Sequence, residues 1–248
     1  MKKEAGQFQE MLESSSRIVG FTGAGVSTES GIADYRSQGG IWEKFQPVYL
    51  DEFIADEEKR RLEWSRKQAL WASLKPARPG PAHRFFYHLH KARRLSGLIT
   101  QNIDGLHEKS GIPADRIVNL HGTGLEIICL GCGDTQPADG FMDRLDISAP
   151  CPVCERCGGL LKSNTISFGQ SLNGEDLSRA EQLARNCDLF IAAGSTLVVQ
   201  PAATYPLMAQ QSGATLVIIT LSDTPLDHLA DLVINQPLGD FLSGFIDR

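Results

Sequence analysis

Two Cys-x-x-Cys pairs about 20 residues apart, within CLGCG and CPVCERCGG, have the spacing of a tetrahedral thiolate site, which most often holds zinc. Five cysteines, Cys129, Cys132, Cys151, Cys154 and Cys157, compete for its four places. A glycine directly after the second Cys lets the backbone turn back so that its N–H groups can approach the thiolates. Gly133 follows Cys132 and Gly158 follows Cys157, whereas Glu155 follows Cys154. The ligands are therefore read as Cys129, Cys132, Cys154 and Cys157 around one zinc ion, with Cys151 to spare. Four thiolates leave no position for water or substrate, so the ion is structural. The loop from Asp134 to Asp146 is acidic, which argues against a ribbon that reads nucleic acid. Cys187, in NCDLFIAAG, reads as a small core residue.

A second set of polar residues stands where apolar runs end. The run from Leu95 to Thr100 releases Gln101, Asn102 and Asp104, and open α/β sheets bind ligands beyond the carboxyl ends of their strands. Asn102 or Asp104 also suits the N-cap of a helix opening at GLHEK, but three adjacent polar groups exceed what a cap needs. A polar pocket is expected. The run from Arg116 to Leu120 ends in His121 at the same rim, the best candidate for a general base because imidazole titrates near neutrality. His83, His88, His90, His107 and His228 have no comparable placement and are given no role. The stretch IVGFTGAGVSTESGIADYRS reads as strand, tight turn and helix start, where Gly23 and Gly25 clear the backbone and unpaired N–H groups favour phosphate. A dehydrogenase fingerprint would place a third glycine where Thr28 stands and an acid about 20 residues further on. Asp34 comes too early for that.

These groups need a sheet to position them. Strands are expected at Arg17 to Thr22, Leu95 to Thr100, Arg116 to Leu120, Leu189 to Ala193, Leu216 to Thr220 and Leu232 to Asn235. Helices are expected over residues 4 to 15, 82 to 93, 175 to 185 and 201 to 210, with a closing helix from Gly239. The turn GSTLVVQPA, from Gly194 to Ala202, is a second small-residue turn at a strand end, and two such turns in one sheet suit a ligand with two phosphates and two sugars. Residues after Ser37 form a charge-rich helical flap whose Trp42, Phe45, Trp64 and Trp71 are expected to pack, and whose Lys59, Arg60 and Arg61 read as a solvated face. With 248 residues, 42% hydrophobic, and a formal net charge of -6, the chain is an ordinary globular protein without the basic clusters that broad nucleic-acid or anionic-membrane binding requires. No apolar stretch reaches the roughly 18 residues of a membrane span, so a cytoplasmic protein is expected.

Taken together, GAGVSTESGIADYRS, ITQNIDGLH, NLHG, the cysteine pairs, SFGQSL and GSTLVVQPA resemble, in order and spacing, the sirtuins, NAD-dependent protein lysine deacylases. The resemblance covers nearly the whole chain. It implies an α/β fold: a Rossmann-like parallel sheet domain (1–37, 74–125 and 162–248) with a small inserted domain made of a helical part (38–73) and a zinc-binding part (126–161). It implies NAD across the rim, with Gly23, Ala24, Gly25, Asp34 and Arg36 in the cofactor loop, Gln101 at the nicotinamide ribose, and Asn102 and Asp104 at the nicotinamide. Gly194, Ser195 and Thr220 would line the adenosine side. An acyl-lysine peptide would add a strand between Ser167, Phe168, Gly169 and Leu197, Val198, Val199. His121 would be the catalytic base, and the products nicotinamide, free lysine and acyl-ADP-ribose.

The chain departs from the family pattern in places. Ala33 and Tyr35 replace a common Pro and Phe, Asn119 replaces a Glu, GSTL inverts GTSL, Gln170 replaces an acid, and Thr220 stands where an Asn often meets the adenosine ribose. No Tyr-x-x-Arg pair of the kind that accompanies acidic acyl groups occurs in Glu63 to Gln68, so neutral acyl groups, acetyl above all, are expected. Two other classes compete: an ADP-ribosyltransferase or NAD hydrolase using the same pocket, against which SFGQSL argues, and a non-catalytic binding module, against which the intact set Gln101, Asn102, Asp104 and His121 argues.

Overall fold

The apolar runs become the parallel sheet that the sequence implies. The computed structural model describes residues 2–34, 40 and 46–246. In chain order the strands are β1 (Ile18–Thr22), β2 (Leu95–Thr100), β3 (Ile117–Asn119), β4 (Gly122–Cys129), β5 (Thr135–Pro137), β6 (Leu161–Thr165), β7 (Leu189–Ala193), β8 (Thr215–Ile219) and β9 (Leu232–Ile234). Six of them make one sheet in the order β3-β2-β1-β7-β8-β9, every pairing parallel. The chain builds outward from β1 to β3 and then resumes on the other side of β1. The topological switch therefore lies between β1 and β7, where open α/β sheets bind ligands.

The helices are α1 (Lys2–Ser14), α2 (Leu50–Ala55), α3 (Glu57–Leu74), α4 (Pro81–Lys91), α5 (Leu106–Lys109), α6 (Phe141–Arg144), α7 (Gly174–Asn186), α8 (Thr204–Gln211) and α9 (Leu238–Leu242). Alternation along β1 sends Ile18 to one face of the sheet, against Phe8, Phe85 and Phe86, and Val19 and Phe21 to the other, against Ala180, Ala184 and Ala209. Each face is thus covered by helices, as an all-parallel sheet demands. Gly20 admits this packing, because a β-carbon there would stand 2.6 Å from Leu98 and Phe86.

A smaller antiparallel sheet, β5-β4-β6, interrupts the large one. Trp64, Trp71 and Leu74 of α3 pack against Ile127, Cys129, Cys154 and Leu161, so the two tryptophans are core residues as expected. Trp42, Phe45 and Arg36 lie outside the described residues. Among the described residues no helix is long and apolar enough to cross a membrane.

Three local expectations change. A 3-10 helix, Ala24–Ser30, follows the first turn instead of an α-helix, and Gly31 ends it at φ 84. The helix expected from Pro201 begins at Thr204, since Pro206 lacks an N–H and is tolerated only in a first turn. Arg60 and Arg61 are not merely solvated: Arg60 donates to the Phe53 and Ile54 carbonyls, and Arg61 to those of Ile147 and Ala149. The guanidinium groups thereby bind the end of α2 and the loop after α6 to α3.

Candidate functional site

The carboxyl ends of β1 and β7 interlock. Gly23 N–H donates to the Ala193 carbonyl (3.1 Å) and Gly25 N–H to that of Gly194 (2.9 Å). A β-carbon on Gly23 would stand 2.7 Å from the Gly194 oxygen, one on Gly25 2.8 Å from Gly194 Cα, and one on Gly194 (φ 63) 2.5 Å from Val26 N. From sequence alone the bare α-carbons serve a ligand above the turn. The structure gives them to the opposite turn, and two N–H groups that a phosphate could have used are already bonded. Ala24 sits between them, half-buried, and Asp34 is half-buried in the coil after Gly31.

The polar residues after β2 form a connected, mostly buried set. Asp104 is held through both oxygens: one accepts from Leu106 N–H at the start of α5 (2.9 Å), the other from the Ser27 hydroxyl (2.7 Å), while the N-cap position itself is Gly105. Burial raises its pKa, against those two hydrogen bonds and the Lys109 charge. Asn102 Nδ2 donates to the Gly23 carbonyl (3.1 Å) and meets Ser27 Oγ (3.3 Å). A carbonyl only accepts, so the amide nitrogen must face it and the amide oxygen faces the other way. Gln101 Nε2 donates to Ser195 Oγ (2.9 Å), joining the two halves of the rim. Ser27 was not singled out in the sequence, where a serine in a polar loop carries no distinguishing pattern.

His121 stands beside this set. Its Nδ1 lies 3.0 Å from the Gln101 carbonyl, which accepts and therefore fixes the neutral tautomer with the proton on Nδ1. Nε2 then carries the free lone pair. Burial lowers the His121 pKa, partly offset by that carbonyl bond, so the neutral form prevails at neutral pH. His83 and His107, given no role from sequence, are fully buried next to one another, ring centroids 4.7 Å apart, and His107 Nε2 lies 3.0 Å from Thr22 Oγ1.

Farther out, Phe168 and Val198 expose apolar side chains on the two segments expected to flank a peptide. Gly169 adopts φ 78, and Leu197, between the rim and Val198, φ 54. Tyr49 is an unforeseen neighbour: it bridges Phe168 in parallel, with ring centroids 5.8 Å apart, and Leu50 N–H donates to the Phe168 carbonyl (2.9 Å). Gln170 closes a turn on Ser167, accepting from its N–H through Oε1 (3.1 Å). Thr220 is buried at the end of β8; its N–H donates to Ile234, and its carbonyl accepts from Asn235 Nδ2 (3.2 Å).

At the other end of the small sheet, Cys129, Cys132, Cys154 and Cys157 bring their Sγ atoms within 4.8 Å of one another. The Cys129–Cys157 and Cys132–Cys154 distances are 3.5 and 3.9 Å. Thiolates 2.3 Å from a shared tetrahedral zinc would be about 3.8 Å apart, so the donor set fits such an ion. Gly133 and Gly158 take φ 71 and 72, as the turn argument requires. The N–H groups that reach sulfur belong, however, to Gly131 and Gly159 (3.3 and 3.4 Å), while those of Gly133 and Gly158 bond to carbonyls. Cys151 lies apart, its thiol toward the Glu57 carbonyl, and Cys187 is buried.

Residues 23–201 match the model of the Sir2 family. The chain is 44% identical over 240 residues to an NAD-dependent protein deacetylase of Rhodopseudomonas palustris, covering 97% of this chain and 95% of that one. Among solved structures, a Sir2 protein with a deacetylated p53 peptide and 3'-O-acetyl ADP-ribose superposes with a TM-score of 0.88 at 32% identity, covering 96% of each chain. Sir2Tm bound to a propionylated peptide gives a TM-score of 0.85 at 32% identity over 96% of this chain and 95% of that one.

Proposed function

The chain belongs to the Sir2 family, and on that premise we propose that it is an NAD-dependent protein lysine deacylase, acting above all on acetyl-lysine. NAD, when bound, would supply a ribose that releases nicotinamide and accepts the acyl group. Asn102 and Asp104 hold the nicotinamide end: the Asn102 amide oxygen offers an acceptor, and the Asp104 carboxylate stabilises positive charge as it develops. Gln101 positions the neighbouring ribose. Gly23, Ala24, Gly25 and Asp34 would line the near side of the cofactor cleft, with Arg36 assigned to the same loop by the family resemblance, and Gly194, Ser195 and Thr220 the adenosine side. His121 takes a proton from a ribose hydroxyl through Nε2. Ser167, Phe168, Gly169 and Val198 receive the peptide as an added strand. One zinc ion on Cys129, Cys132, Cys154 and Cys157 holds the small module together and takes no part in the chemistry. The division into a large domain (1–37, 74–125, 162–248) and a small one (38–73 with 126–161) belongs to the same reading.

The observation that carries it is the bonded run from His121 Nδ1 to the Gln101 carbonyl and from the Gln101 amide to Ser195. It joins the imidazole to the segment after β2 and to the turn after β7. In the test, an acetyl-lysine peptide is incubated with the purified protein, with and without NAD, and weighed by mass spectrometry. Loss of acetyl only with NAD is expected. No NAD-dependent loss across acetyl, propionyl and longer acyl groups contradicts the proposal.

A further inference from the structure

The segment that carries Gln101, Asn102 and Asp104 leaves β2 at Thr100 and enters α5 at Leu106. Both of its ends return to one atom of β1. Thr22 Oγ1 lies 2.8 Å from Thr100 Oγ1, which in turn accepts from Asn102 N–H (3.1 Å), and the same Thr22 Oγ1 lies 3.0 Å from His107 Nε2. Asp104 adds the internal tie to Leu106 N–H. A loop of polar residues is thus closed at its near end by Thr100 and at its far end by His107.

Why an imidazole stands there needs an explanation. His107 is fully buried and its Nδ1 has no partner. Phenylalanine would fill similar space, beside Phe86, without burying an unpaired nitrogen. What the imidazole adds is the bond to Thr22. His83, its ring tilted against that of His107 at 54°, accepts from Gly80 N–H through Nδ1 and so carries its own proton on Nε2, likewise unpartnered. Two buried rings that leave polar atoms unsatisfied directly behind a ligand rim cost stability that an apolar pair would not.

We propose that His107 is a positioning residue for the NAD pocket, clamping the 101–106 loop to Thr22 so that Gln101, Asn102 and Asp104 meet the cofactor in a fixed register. This rests on the reading that those side chains bind NAD. Four variants of the full chain test it: His107→Phe, His107→Gln, whose amide nitrogen can take the place of Nε2, Thr22→Val, and the double variant His107→Phe with Thr22→Val. NAD affinity is read by calorimetry, KM for NAD and for acetyl-peptide by kinetics, and folding by thermal melting. His107→Phe is expected to weaken NAD binding about tenfold with KM for peptide unchanged, His107→Gln to recover most of the loss, and the double variant to be no worse than either single. Should His107→Phe not fold, Thr22→Val alone must show the NAD defect. A lowered melting temperature with unchanged NAD affinity overturns the proposal, as does a Gln variant as weak as Phe, or losses that multiply in the double variant. A wild-type chain that binds NAD but does not deacetylate sinks the deacylase reading and leaves the calorimetric comparison decisive here; one that binds no NAD sinks both.

Discussion

The rim and the cysteine module hold short irregular segments still by opposite means. At the rim, turns interlock through bare glycines, and buried hydroxyl, amide, imidazole and carboxylate groups bond to one another, as in Ser27 with Asp104 and Gln101 with Ser195. The order is built from the chain's own groups, and burial is what it costs: the Asp104 pKa rises and those of His83, His107 and His121 fall. In the module, four sulfur atoms converge with few polar partners, and Cys132 and Cys157 are exposed. We expect an ion held by these four sulfurs to supply much of its order. The lesson is that damage to the module should be read in stability, and damage to the rim in chemistry.

Cys129→Ala should break this comparison most severely. Structural zinc contributes on the order of 10 kcal/mol to the folding of small modules, so we expect loss of bound metal and a markedly lower melting transition, read by metal analysis and calorimetry. Retained zinc with an unchanged transition would contradict the assignment. His121→Ala should do the reverse, leaving metal content and melting alone while kcat for deacetylation falls roughly 100- to 10,000-fold, the range general bases supply. Ser27→Ala leaves Asp104 short of a hydrogen bond at about 1–3 kcal/mol, which we expect as a rise in KM for NAD of roughly 5- to 100-fold, with zinc untouched. The smallest effect concerns pH. His121 works as a base only when neutral, and because its pKa is lowered from 6.5 the acidic limb of kcat should lie below pH 6.5. A limb above that value would mean that another group, or an exposed imidazole, is the base.

Much of the sheet was legible because parallel strands buried on both faces read as apolar runs; Leu95–Thr100 and Leu189–Ala193 match their expected limits. The small strands β4 to β6 carry no such signal: Gly122–Cys129 is mostly half-buried and lacks an apolar run. Gln101, Asn102, Asp104 and His121 are legible because they stand just past the ends of the apolar runs of β2 and β3. Ser27, Tyr49, His83 and His107 are not: their significance comes from contacts across 24 to 119 residues of chain, such as Ser27 with Asp104, |i−j| 77, or Thr22 with His107, |i−j| 85. The reason for Gly23 and Gly25 was also hidden, because the partner that excludes their side chains, Gly194, arrives about 170 residues later.

The central claim is that this rim couples the breaking of NAD to the removal of an acyl group. The most direct measurement counts nicotinamide released against acetyl-lysine lost, in one reaction, with and without acetyl-peptide. The account requires one nicotinamide per acetyl group removed and little release without peptide. Nicotinamide released equally fast when peptide is left out would contradict it and point to an NAD hydrolase.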